Sequence, residues 1–344
     1  MILAIAEELV ARKSEIENEI VESIYFGGGT PSVLEISQIT FLINTVFLHY
    51  AICENPEITL EANPDDLSEK MIVDLSETKI NRLSIGVQSF FEKDLTFMNR
   101  AHNSQQAIDC LRVATTLFDN ISVDLIYGIP GLSNEEWRQN IQTAVDFGIS
   151  HISSYALTVE PKTALQKLIE TGKATAPSDE AAHEQFEILM ETLEQNGFIQ
   201  YELSNFGKPS YYSKNNSAYW LGKKYIGVGP SAHSFDGQSR SWNVANNSLY
   251  IKAIKNNQRS YETETLLLSD KYNEYVMTGL RTIWGVSLID VATDFGLKYR
   301  LHLEKMSQKF INHKLLHIEN NVLKTTKKGK FLIDGIASDL FFVV

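Results

Sequence analysis

The residues in this chain of 344 that could do chemistry fall into two groups. The first begins with Gly27-Gly28-Gly29-Thr30-Pro31, directly after an apolar run. It continues with residues at or just past the ends of later apolar runs: Glu61, Gln88, Arg100 and Asp124. Consecutive glycines let a backbone approach a ligand closely and offer it amide and carbonyl groups. The run is neither G-x-G-x-x-G nor a P-loop, since no Lys-Ser/Thr follows. A carboxylate withdrawn from water needs a partner, and a small molecule bearing hydroxyl and cationic groups would supply one. Taken singly, these residues read as a tight turn and a few surface groups; taken as a set, they read as a small-molecule site. The second group is Tyr219 and Trp220, with His233 in GPSAHS. Aromatic pairs can stack on a flat ligand or simply pack, and the imidazole can serve a pocket or a turn.

The elements that must position the first group alternate in period. β-rich runs at Glu22–Phe26, Glu57–Glu61, Arg82–Val87, Ile121–Tyr127 and His151–Leu157 are separated by amphipathic stretches near 35–50, 66–78, 104–118, 134–147 and 178–196. Near-continuous apolar strands alternating with helices predict a parallel sheet with helices outside, in an α/β fold. Five such units of similar length favour a barrel, or part of one, over an open doubly wound sheet. Functional groups then gather at the carboxyl ends of the strands, where the first group stands. Residues 2–19 read as one helix with no strand before it, so the first strand is expected to be missing and the helix to pack outside the next. Residues 205–250 read mostly as loop with short strands. Helices near 269–283, 288–295 and 299–312, then a hairpin about Asn320-Asn321 and a last helix, predict a winged-helix-like module.

Lys and Arg number 31 against 43 Asp and Glu, a formal charge of −12. That balance argues against a phosphate-tracking surface and a nucleic-acid partner. No apolar run reaches the ~20 residues of a membrane span, and no signal-peptide layout opens the chain, so a cytoplasmic location is expected. The only cysteines, Cys53 and Cys110, have neither C-x-x-C spacing nor a local histidine, which leaves a disulfide scaffold or a thiolate metal site unsupported. Histidines 49, 102, 151, 183, 302, 313 and 317 show no metal-ligand spacing. No metal ligand and no catalytic residue is assigned.

The strings YFGGGTPS (25–32), LEANPDDL (60–67), NRLSIGVQSF (81–90), VDLIYGIPG (123–131), YALTVEPKT (155–163), YELSNF (201–206) and NEYVMTGLRTIWGVSL (273–288) resemble the radical S-adenosylmethionine family. Within it they are most similar to the oxygen-independent coproporphyrinogen III oxidase group and its HemW-like haem-chaperone branch. The resemblance implies a partial (β/α)6 TIM-like barrel, here over residues 1–205 and lacking its first strand. A glycine- and asparagine-rich connection (206–261) and a smaller helical C-terminal domain (262–344) would follow. It implies S-adenosylmethionine bound by Gly28, Gly29, Thr30 and Glu61, with Gln88, Arg100 and Asp124 lining the rest of the pocket. It also implies haem or porphyrin as ligand, delivered to an acceptor haem protein that could be membrane-bound and respiratory. The alternatives are a coproporphyrinogen III oxidase of porphyrin biosynthesis and a cluster-less barrel that binds a small molecule.

Two features depart from that pattern. The family carries C-x3-C-x2-C on the loop after its first strand, where three thiolates hold a [4Fe–4S] cluster; this chain has no such motif, so an N-terminally shortened chain that builds no cluster is expected, and with it no radical chemistry. The chaperone branch carries H-N-x-x-Y-W, and here Asn215 stands in place of the histidine. An amide is a poor haem-iron ligand and an imidazole a good one, which leaves His233 as the candidate axial group beside Tyr219 and Trp220.

Overall fold

The computed structural model describes residues 1–343. In chain order the first half is α1 (Ile2–Ala11), β1 (Val21–Phe26), α2 (Ile36–His49), β2 (Ile52–Ala62), α3 (Glu69–Ser76), β3 (Arg82–Gln88), α4 (Glu92–Phe97), α5 (Ser104–Leu117), β4 (Ile121–Tyr127), α6 (Asn134–Asp146) and β5 (His151–Ala156). Helix starts are set by local chemistry. Ser68 caps α3 by accepting from the Met71 amide, and reciprocal capping boxes open α5 (Asn103 with Gln106) and α6 (Ser133 with Glu136). After α7 (Ala164–Glu170) and α8 (Asp179–Gln195) come two short strands, β6 (Ile199–Gln200) and β7 (Asn205–Gly207).

These strands form one curled sheet in the order β1-β2-β3-β4-β5-β7-β6. Strands β2 to β5 pair in parallel, and β7 closes the run by pairing antiparallel with both β5 and β6. The strands are not apolar throughout. Ile58, Leu60, Leu83, Ile85, Val123, Leu125 and Ile152 are fully buried on one face. The alternate positions are polar: Glu57, Thr59, Glu61, Arg82, Ser84, Ser122, Asp124, His151 and Ser153. Because side chains alternate along a strand, the sheet has an apolar outer face under the helices and a polar inner face. Register aligns the inner residues in layers: Glu61 beside Ser84, Ser84 beside Ser122, Ser122 beside His151, and one layer further Asp124 beside Ser153.

By packing, the chain divides into two compact units. One comprises residues 24–36 and 57–213; the other comprises residues 1–23 and 37–56 and the chain from Lys214 onward. The second unit adds α9 (Lys214–Trp220), β8 (His233–Phe235), β9 (Ser239–Asn243), α10 (Asn247–Lys255) and β10 (Tyr261–Thr265), then α11 (Leu268–Leu280), β11 (Val286–Ser287), α12 (Leu288–Asp290), α13 (Leu297–Asn312), β12 (Leu316–Glu319), β13 (Val322–Thr325) and α14 (Ile333–Asp339). β8, β9 and β10 make an antiparallel sheet, and β11, β13 and β12 another. Asn320 and Asn321 both adopt positive φ (51° and 62°), the two-residue turn that the twist of a hairpin favours.

The expected helix over 2–19 is shorter. It ends at Ala11, where Arg12 leaves the helical conformation, and a 3-10 turn covers Lys13–Ile16. Its buried face meets α10: Ala4 packs with Tyr250 and Ile254, not outside a barrel strand. The cause is a buried carboxylate. Glu8, 1% exposed, accepts from the Tyr250 hydroxyl (2.6 Å), the Gly229 amide (3.0 Å), the Asn243 side chain (2.8 Å) and Arg12 (3.2 Å), with Arg259 3.6 Å away. The 205–250 stretch, read as loop and short strands, also holds α9 and the start of α10. Asn246 caps α10 by accepting from the Leu249 amide, so an asparagine-rich composition here marks helix starts as well as turns.

Candidate functional site

The glycine loop, Gly27 to Thr30, follows β1 and lies open to solvent. Gly28 and Gly29 take φ of 74° and 107°, a region that side chains with a Cβ rarely adopt. Gly27 is required for a different reason: a Cβ there would stand 2.5 Å from the Tyr25 ring and 3.0 Å from the Glu61 carboxyl. That closeness is used. Tyr25 donates its hydroxyl to Glu61 Oε1 at 2.6 Å and the Gly28 amide donates to Oε2 at 3.2 Å. Burial first, then the charge of Glu61, raise the Tyr25 pKa far above its ordinary range, so the phenol stays a donor. Ser32 ties the same loop to the segment after β2 by donating to Asp66 (2.7 Å).

The third strand delivers an amide by way of backbone strain. Gln88 is 8% exposed with φ of 66°, at the point where the β3–β4 register shifts. A non-glycine residue there needs its surroundings to hold it. His102 supplies one hold, its Nε2 lying 3.0 Å from the Val87 carbonyl, while burial lowers the imidazole pKa and keeps it neutral. Gln88, Arg100 and Asn63 meet over Gly86. A Cβ at Gly86 would lie 2.8 Å from Gln88 Nε2, 3.4 Å from Arg100 Nη2 and 3.5 Å from Asn63 Oδ1. Arg100 donates to Asn63 Oδ1 at 2.9 Å, but its Nε is buried with no hydrogen-bond partner; Nδ1 of His102 also makes no hydrogen bond and lies 3.8 Å from Asp65 Oδ1. Buried polar atoms in native proteins are nearly always satisfied, so Arg100 keeps one unspent donor.

Asp124 completes the set. Desolvation raises its carboxyl to about 7, reinforced by the Glu61 charge and opposed by a hydrogen bond to Ser153 and by Arg82 and Arg100. The structure therefore groups Glu61 near the end of β2, Gln88 at the end of β3 and Arg100 beyond α4 with Asp124, which stands midway along β4 and not at its carboxyl end as expected, with Gly28 bonded directly to Glu61 and Gly29 and Thr30 continuing that loop. Tyr25 and Asn63 belong to this group and were missed. Tyr25 precedes Gly27 by two positions on a strand, so period-two alternation could have placed it on the inner face; Asn63 carried no signal beyond following a strand end.

The second group divides. Tyr219 meets Tyr225 edge-on (ring centroids 4.6 Å), Tyr225 lies 6.4 Å from Phe235, and Phe235 shares a face of β8 with His233. The exposed His233 ring stacks on Trp242 at 5.9 Å. Trp220 turns elsewhere, beneath the Arg281 guanidinium at 5.3 Å. Asn215 lies within reach of the Ser23 hydroxyl at 3.4 Å. The two thiols suit no cluster: Cys53 is half-buried on β2, and Cys110 is buried in α5, where desolvation pushes its thiol up to about 12. Among the described residues no three His, Cys, Asp or Glu side chains form a metal-binding group, and no helix is long and apolar enough to cross a membrane.

Residues 3–144 match the radical SAM superfamily and residues 266–332 match the HemN C-terminal domain. The heme chaperone HemW of Lactococcus lactis is 32% identical over 97% of this chain and 90% of its own length, and that of Bacillus subtilis is 32% identical over 96% and 88%. The mitochondrial radical S-adenosyl methionine domain-containing protein 1 of Danio rerio is 37% identical over 62% of this chain and 48% of its own. Coproporphyrinogen III oxidase (HemN) from Escherichia coli, a radical SAM enzyme, superposes with a TM-score of 0.84 over 99% of this chain and 82% of its own. At 21% identity that likeness shows a shared fold: a curled half-barrel followed by a helical domain.

Proposed function

This chain belongs to the HemW-type haem-chaperone branch of the radical S-adenosylmethionine family, and from that membership we propose that it binds haem and hands it to an acceptor haem protein. The observation that carries the reading is similarity sustained over nearly the whole of this chain and of its relatives. The oxidase alternative is not favoured, because the oxidase likeness is one of fold.

The barrel-end residues fit S-adenosylmethionine. The glycine loop leaves backbone open to solvent, Glu61 is preset by Tyr25 and Gly28, and Arg100 has an unspent donor. Gly28, Gly29, Thr30 and Glu61 would hold its amino-acid end, and Gln88, Arg100 and Asp124 its nucleoside end. Bound there, it would bring a sulfonium and an ammonium cation to a pocket with two carboxylates. The family also implies a [4Fe–4S] cluster, but two thiols on separate elements do not provide the three ligands such a cluster needs, and no radical step is derived.

Haem fits the face formed by Tyr219, Tyr225, Phe235, Trp242 and His233. The aromatic rings offer apolar area, and the solvent-facing imidazole of His233 offers the iron a ligand that Asn215 cannot. Spectrophotometric titration with haemin tests this. Saturable binding at one haem per chain, with affinity falling about tenfold in His233→Ala, is expected. Equal binding by the variant removes His233 from the site, and no saturable binding by the wild type retires the chaperone reading.

A further inference from the structure

Below Asp124 the inner face of the sheet holds a chain of hydrogen bonds that binding of a ligand does not explain. Asp124 bonds to Ser153. Ser153 Oγ lies 3.3 Å from Ser122 Oγ, which lies 2.7 Å from Nδ1 of His151; Nε2 of His151 lies 2.9 Å from the Tyr201 hydroxyl. Ser122, His151, Ser153 and Tyr201 are all more than nine-tenths buried. The imidazole is kept neutral, its pKa driven well down by burial and by the charge of Arg82.

Ser153 is oversubscribed. Its hydroxyl donates to Asn205 Oδ1 at 2.6 Å while also meeting Asp124, Ser122 and Tyr155. One hydroxyl has one proton and two lone pairs, so it cannot serve four partners, and the charge on Asp124 decides which bonds form. With Asp124 ionised, Ser153 must donate to it. Ser122 then donates to Ser153, and His151 carries its proton on Nδ1 to donate to Ser122. With Asp124 neutral, the carboxyl donates to Ser153 and Ser153 donates to Asn205. Ser122 is then free to donate to Nδ1, and the His151 proton moves to Nε2, facing Tyr201.

We infer that Ser153, Ser122 and His151 are positioning residues for Asp124: a buried relay whose polarity reverses when that carboxyl takes up a proton, so that the pocket changes charge without stranding a buried donor. The net uptake is one proton from solvent, held on Asp124. His151 stays neutral, losing its Nδ1 proton and gaining one on Nε2 by exchange with water. The groups that face Asp124 and set its balance are Tyr25 from β1, Glu61 from β2, Arg82 from β3, Tyr155 from β5, and Arg100. Those facing His151 are Arg82 and Tyr201.

The inference rests on Asp124 belonging to the proposed cofactor pocket, but its test needs no ligand. Nitrogen-15 NMR of the histidine rings distinguishes the two neutral tautomers from imidazolium. Between pH 5.5 and 8.5 His151 is expected to remain neutral and to switch tautomer near pH 7, a switch absent from Asp124→Asn. In Ser122→Ala the tautomer is expected to become independent of pH while Asp124 still titrates by difference infrared spectroscopy. A His151 ring that becomes imidazolium in this range, or one tautomer throughout in the wild type, overturns the relay. Failure of S-adenosylmethionine to bind in a separate calorimetric titration would instead sink the pocket reading and leave this result standing.

Discussion

Two carboxylate centres in this molecule, one buried and one half-buried, are built from similar materials and do opposite things. Glu8, in the unit that contains α1 and α10, has both oxygens filled by an amide, a phenol, a carboxamide and a guanidinium, and Arg12 in turn bonds to Glu15, the Gly227 carbonyl and Ser234. At the barrel end, Glu61 has two donors, Asp124 sits half-buried with its pKa raised, and the Nε donor of Arg100 is spent on nothing. A saturated centre stabilises the fold; an unsaturated one holds places for a ligand. Both are expensive to bury, so the count of open valences separates structure from function better than burial does.

The sharpest break of that contrast is expected at Glu8. Glu8→Ala removes the one fully buried carboxylate that Arg12 and Arg259 share, leaving them the half-exposed Glu15, and loss of about 3–5 kcal/mol of unfolding free energy is expected by denaturant titration, with ligand affinity at the barrel end unchanged in whatever fraction folds. A smaller loss, near 1 kcal/mol, would mean that water replaces the missing carboxylate and that the centre is not dry.

Asp124 should behave in the reverse sense. Its carboxyl titrates near 7 when folded, against 3.8 as a free side chain. Between those values the folded state holds the extra proton, so stability is greatest below about pH 4, falls as pH rises toward 7, and stays low above it. Asp124→Asn removes that penalty. Its stabilising effect is expected to be larger at pH 8 than at pH 5 by about 2 kcal/mol, read from thermal unfolding at both pH values. A destabilised variant with no pH dependence would make Asp124 a structural group like Glu8.

Glu61→Ala is expected to weaken S-adenosylmethionine binding by about 1–3 kcal/mol, the value of a charge-assisted hydrogen bond, with little change in the unfolding midpoint. If stability falls and affinity does not, Glu61 serves the glycine loop alone. Gly86→Ala should give the smallest effect. The new methyl meets the far end of Gln88, a side chain that can swing away, so the protein should fold normally and lose only a few-fold in affinity, about 1 kcal/mol.

Strand and helix periods are strong local signals, and β4 (Ile121–Tyr127) was legible to the residue while the neighbouring elements shifted by only a few positions. The strand-end residues Glu61 and Gln88 were legible for the same reason: a polar side chain closing an apolar run is conspicuous, whereas Asp124 stands inside its strand and was marked only by its charge. The relay was not, because serine and histidine inside a strand look like ordinary half-buried positions until register sets Ser122 beside His151 and Asp124 beside Ser153. Glu8 was equally hidden. A lone glutamate in an amphipathic helix reads as solvent-facing, and its partners are far away in the sequence. The turn of Trp220 away from Tyr219 follows from α9, in which adjacent side chains point about 100° apart, whereas the segment had been read as irregular.

The distance from Glu8 to its partners also bears on how the molecule comes into being. Asn243 and Tyr250 follow Glu8 by 235 and 242 residues. At roughly 5–20 residues per second of synthesis, α1 leaves the ribosome roughly 10–50 seconds before the residues that bury it exist. In that interval the glutamate is harmless in water, but the apolar side of α1 around Ala4 and Ile5 lacks the α10 residues that pack on it. This helix is made long before it can be finished, and co-translational handling of this chain should be most sensitive to changes on that face.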